Sequence, residues 1–384
     1  MEPSMIGAYG PWAASITGDG PARLSFRQDR YKADEIGVWR VQARKAFEDR
    51  LLTPDTGGTP KAEVIRRWNY DGLDVEQLRW SLPYGPPTDA YFLKPEGAKG
   101  RLPGIIGLHD HGGNKYFGAR KITKVGDDQH PLMKSHQEEY YGGLPWANQL
   151  AKRGYAVLVH DTFAFASRRV RPEDVSPKAR DGGKDVDPAT ETEAEIKAYN
   201  RWASNHEDLM AKSLFSAGTT WPAIFLSEDR RALDYLCSRP DVDAGKVGCA
   251  GLSGGGLRTV FLAGADDRIA CAVCVGMMTT WRDYLLNKAY THTWMCYVPG
   301  LPMDLDYPEI LGLRVPRPTL VLNDIDDELF TLTEMKRADT ILGEVYKKAG
   351  VADRYRASFY PGPHKFDRPM QAEAFDWFDR WLTR

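Results

Sequence analysis

The stretch Val247–Gly256 reads Val-Gly-Cys-Ala-Gly-Leu-Ser-Gly-Gly-Gly, and it decides the fold of this chain. An apolar run ends at Leu252, a serine follows between small residues, and a helical pattern begins at Leu257. The spacing Gly-x-Ser-x-Gly at a strand-to-helix transition is typical of a sharp turn that exposes a serine hydroxyl at the carboxyl end of a sheet. Glycines on both sides of the serine fit such a turn, because a Cβ would clash where the two backbones approach each other.

Ser253 in this corner is a candidate nucleophile, and the backbone N–H of Gly254 is a candidate donor to an oxyanion. That N–H would lie at a helix N-terminus, where amide donors are free and the local potential favours negative charge. A glycine-rich turn with an incidental serine explains the same residues equally well. An acid and a histidine at matching positions further along the chain would distinguish the two interpretations.

Candidates for both partners follow the serine. The apolar run 318–322 leads into Asn-Asp-Ile-Asp-Asp-Glu-Leu-Phe, which places three aspartates directly after a predicted strand. His364 stands in a loop bounded by glycine and proline, just before the last predicted helix (375–382), although a histidine there could simply cap that helix. A serine hydroxyl needs a base, and the base needs a carboxylate that fixes its tautomer. Asp327 is the preferred acid, with Asp326 and Asp324 as alternatives.

A second oxyanion donor is expected in the turn after the apolar run 104–108. This turn reads His109-Asp-His-Gly-Gly113, and the backbone N–H of His111 or of Gly113 is the candidate donor. His109 and His111 with Asp110 offer a metal site as the alternative, but no further ligand cluster accompanies them. We therefore expect no metal.

Composition excludes several function classes. The 384 residues are 42% hydrophobic and 27% charged with a net charge of −2, which gives no support for a nucleic-acid partner. No apolar run approaches the length of a membrane span, and no signal peptide is visible, so a cytoplasmic protein is expected. The five cysteines are odd in number and stand in apolar stretches, which favours reduced, buried thiols. Cys271-Ala-Val-Cys274 has the spacing of a metal motif, but no second pair follows.

The remaining pattern predicts an N-terminal extension and an α/β domain. Residues 1–85 form the extension: an extended arm (1–25), a helix (34–52) and a β-hairpin (63–70 with 73–82) whose turn is Asp71-Gly72. From residue 86 to 384, short apolar runs alternate with helical patterns. Such alternation predicts a mostly parallel sheet with helices on both faces.

Two stretches interrupt the alternation. Residues 166–217 are highly charged and sparse in apolar residues; a helix is plausible over 190–214, and a solvated excursion is the preferred interpretation of 168–188. Residues 277–308 are dense in aromatic side chains, which favours a pocket wall or cap over plain core. The candidate substrate-binding residues in this stretch are Trp281, His292, Trp294 and Tyr297, although a structural role for His292 is equally plausible.

From about residue 90 to 384 the chain resembles the α/β-hydrolase superfamily, and more narrowly its dienelactone hydrolase and acetyl xylan esterase-like branch. The residues that carry the resemblance are Leu108-His-Asp-His-Gly-Gly113, Leu150-Ala-Lys-Arg-Gly-Tyr-Ala-Val157, Asp229-Arg-Arg-Ala-Leu-Asp-Tyr-Leu236 with Arg239-Pro-Asp-Val-Asp243, Gly251-Leu-Ser-Gly-Gly-Gly256, Val315-Pro-Arg-Pro318 and Tyr360-Pro-Gly-Pro-His364. Dienelactone hydrolases proper have a cysteine nucleophile, whereas position 253 is serine, and both the extension and the excursion exceed what a minimal member needs.

The resemblance implies an eight-stranded, mostly parallel sheet, no cofactor, and a triad of Ser253, Asp327 and His364. Together with the motifs it predicts a serine carboxylic-ester hydrolase that acts through an acyl-enzyme on a small or carbohydrate-linked ester. A serine amidase or peptidase with the same triad is the near alternative. A hydrolase fold used only for binding is the alternative from another class. The acyl and alcohol groups and the oligomeric state stay open.

Overall fold

The computed structural model describes residues 4–18 and 20–383. Across these residues one sheet of nine strands runs in the order β1-β2-β3-β5-β4-β6-β7-β8-β9. The strands are β1 (Glu63–Tyr70), β2 (Leu73–Trp80), β3 (Thr88–Pro95), β4 (Leu102–Leu108), β5 (Ala156–His160), β6 (Val242–Leu252), β7 (Ile269–Val275), β8 (Thr319–Asp324) and β9 (Tyr355–Tyr360).

The strands from β5 to β9 along the sheet pair in parallel, whereas β1, β2 and β3 are antiparallel to their neighbours. The predicted mostly parallel sheet is confirmed. The predicted count of eight strands differs from the nine observed in the described residues. The reason is that β1 and β2, the hairpin of the predicted extension, continue the main sheet through β3 instead of packing on it as a separate unit.

Helices cover both faces of this sheet. They are α1 (Gly10–Thr17), α2 (Ile36–Leu51), α3 (Pro131–Tyr141), α4 (Trp146–Lys152), α5 (Pro177–Arg180), α6 (Glu193–Asn205), α7 (Glu207–Ser216), α8 (Trp221–Ser238), α9 (Gly254–Ala265), α10 (Trp281–Asp283), α11 (Leu301–Asp304), α12 (Tyr307–Gly312), α13 (Leu332–Lys348) and α14 (Arg368–Leu382). None of the helices within the described residues combines the length and apolarity that crossing a membrane requires.

Two apolar cores lie on opposite faces of the sheet. On one face α2, α8, α9, α12 and α13 pack against the strands, and on the other face α4 and α14 do so. Successive side chains of a strand point to opposite faces, and β4 shows this plainly: Ile106 and Leu108 join the first core, while Ile105 joins the second. Because the parallel strands are covered on both sides, they read as continuous apolar runs in the sequence.

The N-terminal segment contains more helix than the sequence predicts. Residues 10–17 of the predicted extended arm form α1, with Pro11 in its first turn, where proline is well tolerated; residues 1–3 and 19 of the arm lie outside the described residues. The predicted helix of the extension is α2, and its buried residues Trp39, Ala43, Phe47 and Leu51 belong to the first core. The extension is therefore packed into the body of the molecule.

The charged excursion is also packed onto the body. Arg168 is 2% exposed and forms an ion pair with Glu228 of α8 at 2.5 Å, which ties the start of the excursion to the body. Most residues from 169 to 188 are exposed or half-buried. Two helices, α6 and α7, replace the single helix considered for 190–214. Tyr199 and Trp202 of α6 are buried in a small apolar cluster with Val186, which anchors the excursion.

Candidate active site

Ser253 stands at the corner between β6 and α9. Its φ is 56° and its ψ is −118°, a conformation that residues with side chains rarely adopt and that persists where the surroundings enforce it. A Cβ at Gly251 would lie 2.4 Å from the carbonyl O of Leu108, and one at Gly255 would lie 2.1 Å from the same atom. Contact with the backbone of β4 therefore requires both glycines around the serine.

The corner is tied to the neighbouring strand β7. The N–H of Ser253 donates to the carbonyl O of Val275 at 2.9 Å. The next residue, Gly276, is so close to His364 that a Cβ on it would lie 2.9 Å from Cε1 of the imidazole. Ser253 and His364 also line one cavity. The structure thus brings the predicted nucleophile and the predicted base to the same end of the sheet.

His364 is paired with the preferred acid. Oδ2 of Asp327 lies 2.6 Å from Nδ1 of His364, and the Asp327 side chain is 1% exposed. The alternative Asp326 is exposed and instead accepts the N–H of Gly362 at 2.9 Å. Nε2 of His364 is buried and has no hydrogen-bond partner within the described chain. This nitrogen is therefore available to take up a proton.

Asp324 is the third acid at this end of β8. It is fully buried; Oδ2 accepts the N–H of Lys365 at 3.0 Å. Burial raises the pKa of Asp324 to about 7, the Asp327 carboxylate adds to the rise, and the Lys365 N–H and His364 oppose it. Asp324, Asp327 and His364 each offer one ligand atom within 4.8 Å of the others, which makes them the one compact acid–histidine group that could hold a metal ion among the described residues.

Two predicted oxyanion donors are neighbours in space. A Cβ on Gly254 would lie 2.8 Å from the backbone N of His111, and both residues line the cavity. The N–H of Gly113, the alternative donor, is used within its own turn, where it donates to Nδ1 of His111 at 3.1 Å. The geometry therefore favours Gly254 and His111 as the donor pair.

The cavity has a volume of about 320 Å³. Its floor is formed by the Ser253 corner, His364 and the turn of residues 110–113. The predicted cap supplies most of the opposite wall, with the residues Met277, Thr291, His292, Thr293, Met295 and Cys296. Tyr140, Leu252, Leu257 and Leu329 complete the lining, so apolar and sulfur-containing side chains predominate over polar ones.

Trp281, Trp294 and Tyr297 are not among the residues that line this cavity. The indole N–H of Trp281 donates to the carbonyl O of Leu305 at 3.0 Å, which holds the ring inside the cap. Trp294 is 37% exposed and packs edge-on against Phe215. The predicted aromatic wall is therefore not formed by these three rings, because they pack within the cap or face outward.

His292 is the one predicted substrate residue that does line the cavity. Its Nδ1 lies 3.2 Å from the carbonyl O of Lys288 and 2.8 Å from Oγ1 of Thr291. A carbonyl oxygen only accepts, so Nδ1 carries the proton. Burial lowers the pKa of His292 to about 4, and the imidazole is therefore neutral at pH 7.

The side chains of His109, Asp110 and His111 diverge instead of forming a ligand set. Asp110 accepts from His136, with Nε2 to Oδ1 at 3.1 Å, and His111 places Nε2 3.1 Å from the Glu207 carboxylate. The metal alternative at this turn therefore lacks convergent ligands. His136 and Glu207 were not predicted, because they are distant in sequence and no local pattern marks them.

The cysteine pair also lacks the geometry of a metal site. Cys271 belongs to the core on one face of the sheet and Cys274 to the core on the other. Three residues apart on a strand, the two side chains point in opposite directions. Of the five cysteines, four are buried as predicted, and Cys237 is half-buried.

Comparisons with known proteins agree with this fold. The family described as the prolyl oligopeptidase family matches residues 228–306, which include the Ser253 corner. The sequence is 26% identical over 323 residues to the protein named "Putative hydrolase YtaP" of Bacillus subtilis (strain 168), a match that covers 83% of this chain and 92% of that protein.

Solved structures share the fold at low sequence identity. A putative acetyl xylan esterase from Bacteroides fragilis has a TM-score of 0.67 at 15% identity, with 93% of this chain and 84% of that one covered. A glucuronoyl esterase from Solibacter usitatus has a TM-score of 0.64 at 16% identity, with 94% and 97% covered. At these identities the likenesses show a shared fold, in agreement with the predicted α/β architecture.

Proposed function

We propose that this protein is a serine carboxylic-ester hydrolase with Ser253 as nucleophile, His364 as base and Asp327 as acid. The observation that carries the proposal is the 2.6 Å contact between Asp327 and His364 beside a serine held at φ 56° in the same cavity. An incidental serine needs neither the backbone strain nor the oriented imidazole. Strained serine corners of this kind are typical of nucleophiles.

The chemistry follows from the position of each group. Oγ of Ser253 attacks the ester carbonyl carbon while Nε2 of His364 takes the hydroxyl proton. The Asp327 carboxylate accepts a hydrogen bond from Nδ1–H of His364 and stabilises the imidazolium that forms. The negative charge on the carbonyl oxygen is stabilised by the N–H groups of Gly254 and His111. Collapse of this intermediate expels the alcohol, which takes the proton from His364. Water then attacks the acyl-enzyme carbonyl while His364 takes its proton. The carboxylic acid leaves as Oγ of Ser253 takes the proton back from His364.

The substrate class is proposed as a small or carbohydrate-linked ester. A cavity of about 320 Å³ has room for a short acyl group and part of an alcohol. Thr291, His292 and Thr293 line it beside leucine and methionine side chains, a mixed lining that suits a small acyl group with a partly polar alcohol. The solved neighbours named for acetyl xylan and glucuronoyl esters support the same choice.

A panel of substrates tests the activity. Purified enzyme and the S253A variant are given p-nitrophenyl esters of graded chain length and acetylated xylo-oligosaccharides. We expect turnover of the acetate esters by the native enzyme and a loss of about 10⁴–10⁶-fold in S253A, the range seen when a triad member is removed. Equal hydrolysis by both proteins would contradict the proposal.

Amide hydrolysis is the second candidate, because the matched family model is that of the prolyl oligopeptidases. The same panel therefore includes peptide p-nitroanilides. We expect kcat/KM for the acetate esters to exceed that for the anilides by more than the difference in their chemical reactivity. A preference for the anilides would change the proposed function from esterase to peptidase. No activity toward any of the substrates would favour a binding role.

A further inference from the structure

A buried lysine lies beneath the turn that supplies one oxyanion donor. Lys121 ends the short 3₁₀ helix Ala119–Lys121 and is fully buried. Its Nζ donates to the carbonyl O of Asp110 and to the carbonyl O of His111, both at 2.8 Å. A buried ammonium that binds two consecutive backbone carbonyls holds both peptide units in place.

The first of these carbonyls shares a peptide unit with the candidate donor. The C=O of Asp110 and the N–H of His111 belong to the same planar group, which is not among the cis peptide bonds of the described chain. In a trans unit these two groups point in opposite directions. An ammonium fixed on the carbonyl side therefore fixes the direction of the N–H on the other side. It also polarises the unit, and a polarised amide is a stronger donor.

The surroundings of Lys121 keep its charge directed at this turn. The ring of Phe165 covers the ammonium, with its centroid 4.9 Å from Nζ, and Oδ2 of Asp110 lies 3.6 Å away. The other titratable groups that face it are the Asp161 carboxylate, the Lys115 ammonium and the imidazoles of His109 and His111. Nδ1 of His109 also lies 3.0 Å from the carbonyl O of Asp110. Burial lowers the pKa of Lys121 to about 8, against the opposing effect of the Asp110 carboxylate. Lys121 is therefore mostly charged at pH 7.

Neutralisation of the Asp110 charge does not by itself explain why a lysine is buried at position 121. The Asp110 carboxylate has closer partners in His136 and Tyr141, which both contact Oδ1. The two carbonyl oxygens are nearer to Nζ than the carboxylate oxygen is. The contacts of the ammonium are thus concentrated on the backbone of the turn.

We propose that Lys121 is a positioning residue of the oxyanion site, which orients and polarises the Asp110–His111 peptide so that its N–H is aimed at the oxyanion. The proposal rests on the proposed esterase function and extends it to a side chain that does not touch the substrate. The oxyanion charge develops in the transition state and is absent from the bound ester. Removing Lys121 should therefore lower kcat while KM changes little.

The test compares K121M with K124M in the full-length enzyme. Lys124 is close in sequence, but its Nζ lies over Tyr70, 6.0 Å from the ring centroid and away from the cavity residues. With p-nitrophenyl acetate we expect K121M to lose about 10–100-fold in kcat with KM within about threefold, less than the loss for a missing donor because the N–H remains. K124M should match the native enzyme. The affinity of a trifluoromethyl ketone, which forms a tetrahedral adduct, should fall in K121M in parallel with kcat/KM.

The pH profile separates this role from a merely structural one. Since the ammonium loses its proton near pH 8, kcat/KM of the native enzyme should decline as pH rises through that value. The K121R variant keeps its positive charge, so the decline of its kcat/KM should move to higher pH. The pH profile of K121R remains informative if K121M does not fold. A native profile without an alkaline decline would contradict the proposal, as would folded K121M with native kcat and native inhibitor affinity. Failure of the native enzyme to turn over any ester would contradict the proposed function instead.

Discussion

At the scale of single residues, three aspartates within four positions have three different environments. Asp327 faces the imidazole of His364, Asp326 lies at the surface, and Asp324 is fully buried. Composition and spacing alone do not separate them, because all three follow the same strand. Substitution of each by asparagine, which keeps the shape and removes the charge, separates their roles.

D327N is expected to lose about 10⁴-fold in kcat, because an amide at this position favours the wrong tautomer of the histidine. D326N is the matched control and should leave kcat unchanged, since the Asp326 side chain is exposed and accepts the N–H of Gly362 instead of facing His364. Steady-state kinetics with p-nitrophenyl acetate measures both. The acid would have to be reassigned if D326N or D324N, and not D327N, showed the large loss.

D324N is expected to change the pH dependence of stability. The pKa of Asp324 is raised from 3.8 to about 7 in the folded state. Its stabilising contribution is therefore present below about pH 4 and is lost as pH rises through about 7. Asparagine does not ionise, so the free energy of unfolding of D324N relative to the native protein should rise between pH 5 and pH 8, by on the order of a few kcal/mol. Urea unfolding at both pH values measures it, and D326N should show no such trend; a difference for D324N that is independent of pH would contradict the burial argument.

At the scale of elements, the candidate site exists because parallel strands end at one edge. The turns after β4, β6, β8 and β9 carry His111, Ser253, Asp327 and His364, and their carboxyl ends meet. The segment after β7 forms the facing wall, and in it the direction of each side chain decides its role. Met295 is 2% exposed and lines the cavity, whereas its neighbour Trp294 faces outward.

M295A is expected to shift the acyl preference toward longer chains, because truncation enlarges the cavity next to the serine. A methylene in such a pocket is worth about 10–200-fold in discrimination, so the ratio of kcat/KM for butyrate over acetate should rise several-fold. W294A, on the adjacent residue, should leave this ratio unchanged. The opposite pattern, with W294A shifting the ratio and M295A neutral, would restore the predicted aromatic wall.

At the scale of the whole molecule, the N-terminal segment is part of the core that supports the site. Trp39 of α2 is fully buried and donates its indole N–H to the carbonyl O of Leu24 at 2.6 Å. Phe47 of the same helix contacts Phe261 of α9, the helix that begins beside Ser253. Through these contacts α2 supports the helix that begins beside the candidate nucleophile.

W39A is expected to lower the free energy of unfolding by about 3–5 kcal/mol, the usual cost of truncating a buried tryptophan. V41A on the exposed side of the same helix should change it by less than about 0.5 kcal/mol. Chemical unfolding measures both, and the folded fraction of W39A should keep its esterase kcat. A loss in W39A no larger than that in V41A would show that α2 does not stabilise the domain.

The sequence predicts those parts of the fold and site that local patterns encode. The glycines of Gly-x-Ser-x-Gly indicate a close approach of two backbones, and the structure shows that approach at the carbonyl O of Leu108. The Gly/Pro loop and the acids after β8 indicate a histidine and its acid partner, and His364 lies beside Asp327. Both strands of the hairpin were predicted, but their continuation of the main sheet was not, because the pairing of β2 with β3 has no signal in either strand alone. The aromatic wall was misjudged because composition does not say which way a ring faces. Lys121 was missed because its partners are backbone carbonyls, which leave no sequence pattern.

A fluorophosphonate probe, followed by mass spectrometry of the labelled peptide, identifies the covalent nucleophile. We expect one adduct per chain, located on Ser253, with loss of esterase activity in step with labelling. S253A should remain unlabelled, and D326N should label at the native rate. Labelling that persists in S253A, or that attaches to another residue while activity is lost, would show that Ser253 is not the nucleophile.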